Sequence, residues 1–370
     1  MLGISVYPYK ENIQDSLNYV KKAASFGFKR VFTNILEIEN QDKEDLLSSM
    51  KEVIQYARRQ GMEVMLDVNP TVFEQLNISY HNLSFFKKMG ATAIRLDSSF
   101  DGFVESLMTF DNNNLDIEIN ISNDTAYLEN VLSYAPQKKK IIGCHNFYPQ
   151  RFTGLDDSYF KKCSEKYKSM GLRTAAFINS HYGDHGPHPF CDGLCTLEMH
   201  RDMKIVTQAK HLIAIGSIDD IIIANAFASD QELEAISLVN QNQIVLDVVF
   251  NPNVSEEEKK LVLDNQHFNR GDISSYMIRS TYVKTQYKNT SIPVNCTSDS
   301  LYYGDITIGN DTFGQYRGEL NIVTKEMSDP KHNKNVVGKV ADDEQFLISY
   351  IKPWTKFRFI ERKKENDITL

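Results

Sequence analysis

The amino-acid sequence predicts an α/β fold, a (β/α)8 TIM barrel followed by a smaller, mostly β C-terminal domain. Three observations predict this fold. Short apolar runs alternate with amphipathic helical stripes eight times before about residue 242, as a barrel of this class requires. Glycine recurs between a stripe and the next run, where helices commonly end. From residue 243 onward, short β-rich runs broken by Gly, Asn and Asp replace the alternation. We therefore predict two domains, residues 1–242 and residues 243–370.

Each unit of the predicted barrel is a strand followed by a helix. In the first helix, Ile13, Leu17, Val20 and Ala24 recur at helical spacing on one face. The predicted strands are 2–6, 29–35, 62–68, 92–96, 115–119, 140–145, 173–178 and 219–224. The predicted helices are 11–26, 42–60, 80–89, 100–109, 123–134, 156–170, 196–211 and 230–240. The glycines that follow four of these helices are Gly27, Gly61, Gly90 and Gly171.

Two helix starts have polar signals. Ser229 with Glu232 three residues later forms a capping box, and Thr196 is placed to serve as an N-cap. A doubly wound open sheet is the competing fold. That fold would need a glycine-rich phosphate loop after the first strand, and residues 6–11 contain none, so the barrel is favoured.

Composition excludes several classes of function. The formal net charge is -8 and no basic block stands out, which argues against a nucleic-acid partner. No basic leader and no apolar run of the ~20 residues that a membrane span needs are found, so we expect a cytoplasmic protein without a membrane partner. The five cysteines at irregular spacing indicate reduced thiols. A homodimer is left open.

Polar groups follow nearly every predicted strand, which is where barrels of this class place their active sites. Carboxylates, amides and an aromatic hydroxyl dominate, a set typical of carbohydrate sites, in which two carboxyl groups act across a glycosidic bond. Asp67 and Asp97 directly end their strands and are the predicted catalytic pair. Glu37 is the alternate member, although it could instead cap the next helix. Arg95 alternates to the same face as Asp97, so an internal ion pair is the structural alternative.

The segment HYGDHGPHPFCDGLC, residues 181–195, carries three histidines and two cysteines. This content suggests zinc, but the cysteine spacing differs from that of zinc knuckles. We therefore predict a lid over the site and no metal.

Several segments, taken in order, resemble the MupG-like 6-phospho-N-acetylmuramidase family of bacteria. They are GISVYP, FTNILE, IRLD, CHNFYPQRFTGLD, GLCTLEMHR, GDITIGN and YRGEL. The resemblance covers nearly the whole chain and implies that the β domain is cyclophilin-like. It also implies hydrolysis of a disaccharide of N-acetylmuramic acid 6-phosphate and N-acetylglucosamine, during cytoplasmic recycling of peptidoglycan, without a cofactor. It does not assign the catalytic pair.

On this hypothesis the remaining strand-end groups bind the small-molecule substrate. The residues predicted to bind sugar hydroxyl and acetamido groups are Asn69, Asn120, His145, Asn146, Tyr148 and Asn179. Arg151, Arg279 and Arg317 are candidates for the phosphate or the lactyl carboxylate. Substrate assistance by the acetamido group is left open. The alternatives are a metal-dependent sugar-phosphate isomerase or lyase, and a non-catalytic sugar-phosphate-binding protein.

Overall fold

The computed structural model describes residues 1–8, 12–36, 43–187, 190, 192–295 and 298–362. The chain divides into two compact units, Met1–Val239 and Asn240–Leu370.

The first unit is built on a closed barrel of eight parallel strands, which confirms the predicted fold class. Each strand pairs with the next along the chain, and β8 pairs with β1 to close the ring. The strands are β1 Leu2–Ser5, β2 Arg30–Asn34, β3 Glu63–Val68, β4 Ala93–Leu96, β5 Asp116–Asn120, β6 Ile141–Cys144, β7 Arg173–Ile178 and β8 Asp220–Ile223. Because all eight run in parallel, their carboxyl ends meet at one end of the barrel.

Nine described helices accompany these strands. They are α1 Ile13–Ser25, α2 Lys43–Arg59, α3 Pro70–Gln75, α4 Ser84–Met89, α5 Phe103–Met108, α6 Tyr127–Ser133, α7 Asp157–Ser169, α8 Ile205–Ile215 and α9 Asp230–Ser237. The predicted capping box of Ser229 and Glu232 is confirmed at the start of α9. Helix α3 is short, and no apolar periodicity in the sequence predicted it.

The helix predicted over 196–211 is wrong at its start. Residues Glu198–His200 form a separate 3₁₀ turn, and α8 begins only at Ile205. Thr196 is not an N-cap, because its hydroxyl donates to the carbonyl of Asn146 at 2.8 Å and accepts the N–H of Phe177 at 3.0 Å. These tertiary hydrogen bonds hold the residue in a loop before the 3₁₀ turn.

The four predicted helix-ending glycines all have the left-handed backbone that this position requires. Their φ angles are 86°, 77°, 107° and 73° at Gly27, Gly61, Gly90 and Gly171. Other residues adopt such angles only at a steric cost, whereas glycine does so freely. The glycines at the ends of the predicted helices therefore mark positions where the backbone must adopt a positive φ.

The barrel interior contains a buried ion cluster and an aromatic layer. The guanidinium of Arg30 is 1% exposed and pairs with both Glu118 and Asp220. Phe32 and Phe177 pack edge to face with ring centroids 5.2 Å apart, and Phe147 packs on both. Since Arg30 and Asp220 open their strands, this cluster lies toward the end of the barrel that in this fold serves stability.

The second unit is mostly β, as predicted. A seven-stranded sheet has the order β10-β17-β9-β16-β13-β14-β11, and β12 pairs with β15. Its strands are β9 Ile244–Phe250, β10 His267–Phe268, β11 Met277–Ser280, β12 Ser300–Leu301, β13 Asp305–Gly309, β14 Leu320–Val323, β15 Met327–Ser328, β16 Lys334–Val340 and β17 Lys356–Glu361. Helix α10, Glu256–Leu263, contacts β17. Among the described residues, no helix combines the length and the apolar character needed to cross a bilayer.

Candidate active site

A carboxyl pair held by one arginine lies at the carboxyl ends of β3 and β4. The strand register places Asp67 directly beside Arg95. The Nη1 atom of Arg95 donates to Asp67 at 2.7 Å and to Asp97 at 3.3 Å. The side chains of Asp67 and Arg95 are only 5% and 3% exposed, whereas that of Asp97 is 44% exposed. The predicted pair is therefore together in space, and the ion pair considered as the alternative is also present.

Burial gives Asp67 an unusual proton affinity. Loss of solvent around the carboxyl raises the pKa of Asp67 to about 7, although the nearby charge of Arg95 opposes the rise. Burial removes the water that would stabilise the ionised carboxylate, and the charge of Arg95 replaces that stabilisation only in part. At neutral pH this carboxyl is therefore poised to hold or release a proton.

Three of the predicted amides stand next to the carboxyl pair. Asn69 follows β3 and caps helix α3. Asn120 ends β5, and Asn146, two residues past β6, accepts a hydrogen bond from Arg95. The amides and the carboxyl groups come from β3, β4, β5 and β6. Because these four strands are consecutive in the barrel, the groups share one sector of its carboxyl end.

The structure does not support His145 as a ligand-binding residue, because its ring is fully buried. Ser164 donates its hydroxyl proton to a backbone carbonyl, so its oxygen accepts from Nε2 of His145 at 2.8 Å. Nδ1 then accepts from the hydroxyl of Ser122 at 3.3 Å, and Ser122 in turn accepts the backbone N–H of Asn146 at 2.8 Å. Burial lowers the pKa of His145 to about 3, which keeps the ring neutral. His145 therefore positions the loop that carries Asn146.

A polar cavity of about 340 Å³ opens beside the carboxyl pair. It is lined by Leu96, Asp97, Ser98, Ser99, Asn120, Asn123, Thr125 and Tyr127. The Tyr127 hydroxyl donates to buried Glu105 at 2.5 Å, and Glu105 also accepts the N–H groups of Phe100 and Gly102. This pair fixes the wall of the cavity. Sequence reasoning missed it, and the only available signal was a glutamate three residues after a glycine at a helix start.

Asn179 and Arg151 line a separate cavity of about 420 Å³. Asn179 is 3% exposed and accepts the N–H of Leu194 at 2.8 Å. The guanidinium of Arg151 is paired with Asp202 at 2.7 Å and with Asp192 at 3.1 Å. Arg151, which was predicted to bind an anion of the substrate, therefore already forms ion pairs with two aspartates.

The predicted residue Tyr148 is half-buried, and burial raises the pKa of its hydroxyl. Its backbone pairs with Cys195. Sequence reasoning also missed what holds this loop. Arg201 donates to the carbonyl of Tyr148, while Glu198 accepts the N–H of Gly154 at 2.7 Å.

The remaining predicted site residues lie elsewhere. Arg279 and Arg317 belong to the second unit, where they pair with Asp272 at 3.1 Å and Asp311 at 3.4 Å. Glu37 lies outside the described residues. Another cavity, of about 690 Å³, is lined by residues of α1 and of the segment before α9 and contains none of the predicted residues. We favour the smaller cavity because Asp97 lines it and Arg95 links Asp97 to the buried carboxyl of Asp67.

The predicted lid is only partly described, because His188, Pro189 and Cys191 lie outside the described residues. His185 pairs with Asp184. Burial raises the pKa of the free thiol of Cys195 to about 12, which keeps it protonated. In the described part of the chain, no group of three or more His, Cys, Asp or Glu side chains could hold a metal ion.

A closed parallel barrel with a carboxyl pair and amides at its carboxyl end defines the class of TIM-barrel proteins with a polar ligand site. Comparison with known protein families identifies the particular family within this class. The family model described as "6-phospho-N-acetylmuramidase, N-terminal" matches residues 2–238, and "6-phospho-N-acetylmuramidase, C-terminal" matches residues 244–360. The chain therefore belongs to the 6-phospho-N-acetylmuramidase family. No protein among the curated ones matches it.

Two solved structures are similar along almost the whole chain. The crystal structure of an uncharacterized B. cereus protein has 46% sequence identity and a TM-score of 0.89, over 97% of this chain and 99% of that one. A conserved protein of unknown function from Enterococcus faecalis has 23% identity and a TM-score of 0.69, over 99% and 98% of the two chains. The second likeness shows the fold alone.

Proposed function

We propose that this protein is a glycoside hydrolase that cleaves a 6-phosphorylated N-acetylmuramyl-N-acetylglucosamine disaccharide in the cytoplasm during peptidoglycan recycling. The family membership supports the substrate class. The chemistry rests on the carboxyl pair of Asp67 and Asp97 beside a polar cavity.

The observation that carries the proposal is geometric: Arg95 holds the buried carboxyl of Asp67 beside the exposed carboxyl of Asp97, which lines the polar cavity. A glycosidic oxygen leaves more easily when an acid protonates it, and that acid must hold its proton at working pH. Burial raises the pKa of Asp67 to about 7 against the opposing charge of Arg95, so its carboxyl can hold a proton near neutral pH. We assign it as the general acid.

Asp97 is the second carboxyl, and its exposed side chain faces the cavity. Since one nitrogen lies 2.7 Å from an oxygen of Asp67 and 3.3 Å from an oxygen of Asp97, these two oxygens are separated by at most about 6 Å. Retaining glycosidases separate their carboxyl groups by about 5–5.5 Å and inverting ones by about 6.5–9.5 Å. The geometry therefore favours retention, with Asp97 acting as nucleophile or orienting the substrate's acetamido group.

The test is hydrolysis of the phosphorylated disaccharide by the wild-type protein and by Asp67→Asn and Asp97→Asn. We expect each variant to lose about 10²-fold or more in kcat, the usual effect of removing an acid or base. NMR of the first product formed should show the anomeric configuration of the substrate. Asp45→Asn, an exposed change on α2, is the matched control and should leave turnover unchanged.

Near-normal turnover in both site variants would refute the assignment. Tight binding of the disaccharide without turnover by the wild-type protein would instead favour a non-catalytic sugar-phosphate-binding protein. One observation favours that alternative, namely that Arg95 already pairs with both carboxyl groups.

A further inference from the structure

Three asparagine side chains beside the carboxyl pair have their oxygens occupied by donors of the protein itself. Asn69 accepts a backbone N–H of α3 at 2.9 Å, and Asn120 accepts the backbone N–H two residues further along at 2.9 Å. Asn146 accepts from the guanidinium of Arg95. Backbone N–H groups and guanidinium groups can only donate, so an oxygen must face each of them. These hydrogen bonds therefore fix which end of each amide is the oxygen and which is the NH2 group.

The amide nitrogens of Asn69, Asn120 and Asn146 have no hydrogen-bond partner among the described residues. We call these three residues the amide cluster. They follow or end three strands of one barrel sector, since Asn69 comes directly after β3, Asn120 ends β5, and Asn146 lies two residues after β6. Asn120 lines the 340 Å³ cavity directly, together with Asp97. Asn146 is tied to the same carboxyl pair through Arg95, which bonds to Asn146, Asp67 and Asp97.

We propose that the amide cluster is a specificity determinant that binds the acyl carbonyl oxygen of an N-acylated sugar. A carbonyl oxygen only accepts hydrogen bonds, which suits a wall whose amides can only donate. A sugar hydroxyl can also donate, and the carboxyl groups of Asp67 and Asp97 are its better partners. The proposal rests on the proposed function for its substrate class.

The charges around the amide cluster favour a neutral carbonyl group over an oxyanion such as phosphate. The cluster carries no formal charge, and Arg95, the cation that bonds to Asn146, is shared by Asp67 and Asp97. A phosphate placed here would lie beside the carboxyl groups of Asp67 and Asp97, whose charges would repel it, while Arg95 is already paired with both. A neutral carbonyl avoids that repulsion.

The substitutions Asn69→Asp, Asn120→Asp and Asn146→Asp test the inference. Aspartate keeps the oxygen that accepts the protein's own N–H or Arg95, but it replaces the donating NH2 with a second acceptor. The probes are N-acetylglucosamine 6-phosphate, glucosamine 6-phosphate and glucose 6-phosphate, with affinities measured by calorimetry. All three carry the phosphate, so their affinity ratios isolate the group at the amino position.

We expect the wild-type protein to prefer the acetylated sugar. Each variant should lower the ratio of affinities for the acetylated and the amino sugar by about tenfold or more, the scale of one lost hydrogen bond to a buried partner. Part of the change should be a gain for the amino sugar, because its ammonium group can donate to the new carboxylate. Glucose 6-phosphate reports any uniform effect of the added negative charge.

Asn82→Asp is the matched control. The side chain of Asn82 also accepts a backbone N–H two residues further along, at 3.1 Å, but it lies in the exposed turn before α4. This variant should keep the wild-type ratio. Thermal unfolding of all four variants checks that the fold is kept.

Three results would overturn the inference: wild-type ratios in all three variants, an equal loss of affinity for all three sugar phosphates, or no binding of any probe by the wild-type protein. The proposed function is judged separately. Hydrolysis of the disaccharide with unchanged ratios would leave the hydrolase standing without this role for the amides. Altered affinity ratios without hydrolysis of the disaccharide would support the role of the amides and refute the proposed hydrolase.

Discussion

At the scale of single residues, the site depends on opposing effects at Asp67. Burial raises its pKa, and the charge of Arg95 pulls it back. Pairing with Arg95 favours the ionised carboxylate, whereas burial favours the protonated one, so the two effects oppose each other at Asp67. Under the proposed function, this raised pKa is the property that would let Asp67 act as an acid near neutral pH.

This environment predicts how activity depends on pH. Asp67 is protonated below its folded pKa of about 7, so a reaction that needs its proton should slow as pH rises through that value. We expect kcat/KM to fall along an alkaline limb near pH 7, and Asp67→Asn to remove the limb together with most of the activity. Rates measured between about pH 5.5 and 8.5 test this. A flat profile would exclude Asp67 as the acid.

At the scale of structural elements, the loop after β6 is held by a pair from the 3₁₀ turn that precedes α8. Arg201, 3% exposed, donates to the backbone carbonyls of Tyr148, Gln150, Asp192 and Gly193. Glu198 accepts the N–H groups of Phe152 and Gly154 and pairs with Arg201 at 2.7 Å. Hydrogen bonds from Arg201 and from the loop lower the pKa of Glu198 to about 2.

Arg201→Lys should therefore release this loop. Lysine keeps the charge but cannot reproduce the fixed set of guanidinium donors, so several buried carbonyls would lose partners. We expect a loss of about 2–4 kcal/mol in the free energy of unfolding and faster hydrogen exchange at Phe152 and Gly154. Arg59→Lys, an exposed change on α2, should cost less than about 0.5 kcal/mol. Unchanged exchange in Arg201→Lys would show that other contacts hold the loop.

At the scale of the whole molecule, both units bury histidines that are neutral when folded. Burial lowers the pKa of His211 in the first unit and of His267 in the second to about 4. His267 bonds to a carbonyl at 2.9 Å and to Ser280 at 3.0 Å. Such groups bind fewer protons folded than unfolded between about pH 4 and 6.5. Their stabilising contribution is complete above pH 6.5 and is lost as pH falls toward 4.

We therefore expect the free energy of unfolding to depend less steeply on pH in His267→Gln than in the wild-type protein. The shift of about 2.5 pKa units corresponds to about 3 kcal/mol across this range. Asp67 acts in the opposite direction, because its raised pKa removes stability as pH rises from about 4 to 7, so the comparison must be between variants. Urea unfolding from about pH 4 to 7 measures it. His81→Gln, an exposed change, should keep the wild-type slope.

The sequence by itself determined the order of strands and helices and the end of the barrel where polar groups gather. Apolar periodicity and helix-ending glycines such as Gly27 are local signals, set by alternation, helical pitch and backbone sterics. For the same reason, the type of residue at strand ends indicated a carbohydrate site, with Asp67 and Asp97 among its groups.

Only the tertiary structure decided which of these groups meet and which are enclosed. Arg95 joins Asp67 to Asn146 across three strand pairings, while the ring of His145 turns into the protein. Thr196 likewise became part of a loop because it bonds to Asn146, fifty positions away. Contacts between residues so far apart arise only when the ring of strands closes, and no local pattern encodes that geometry.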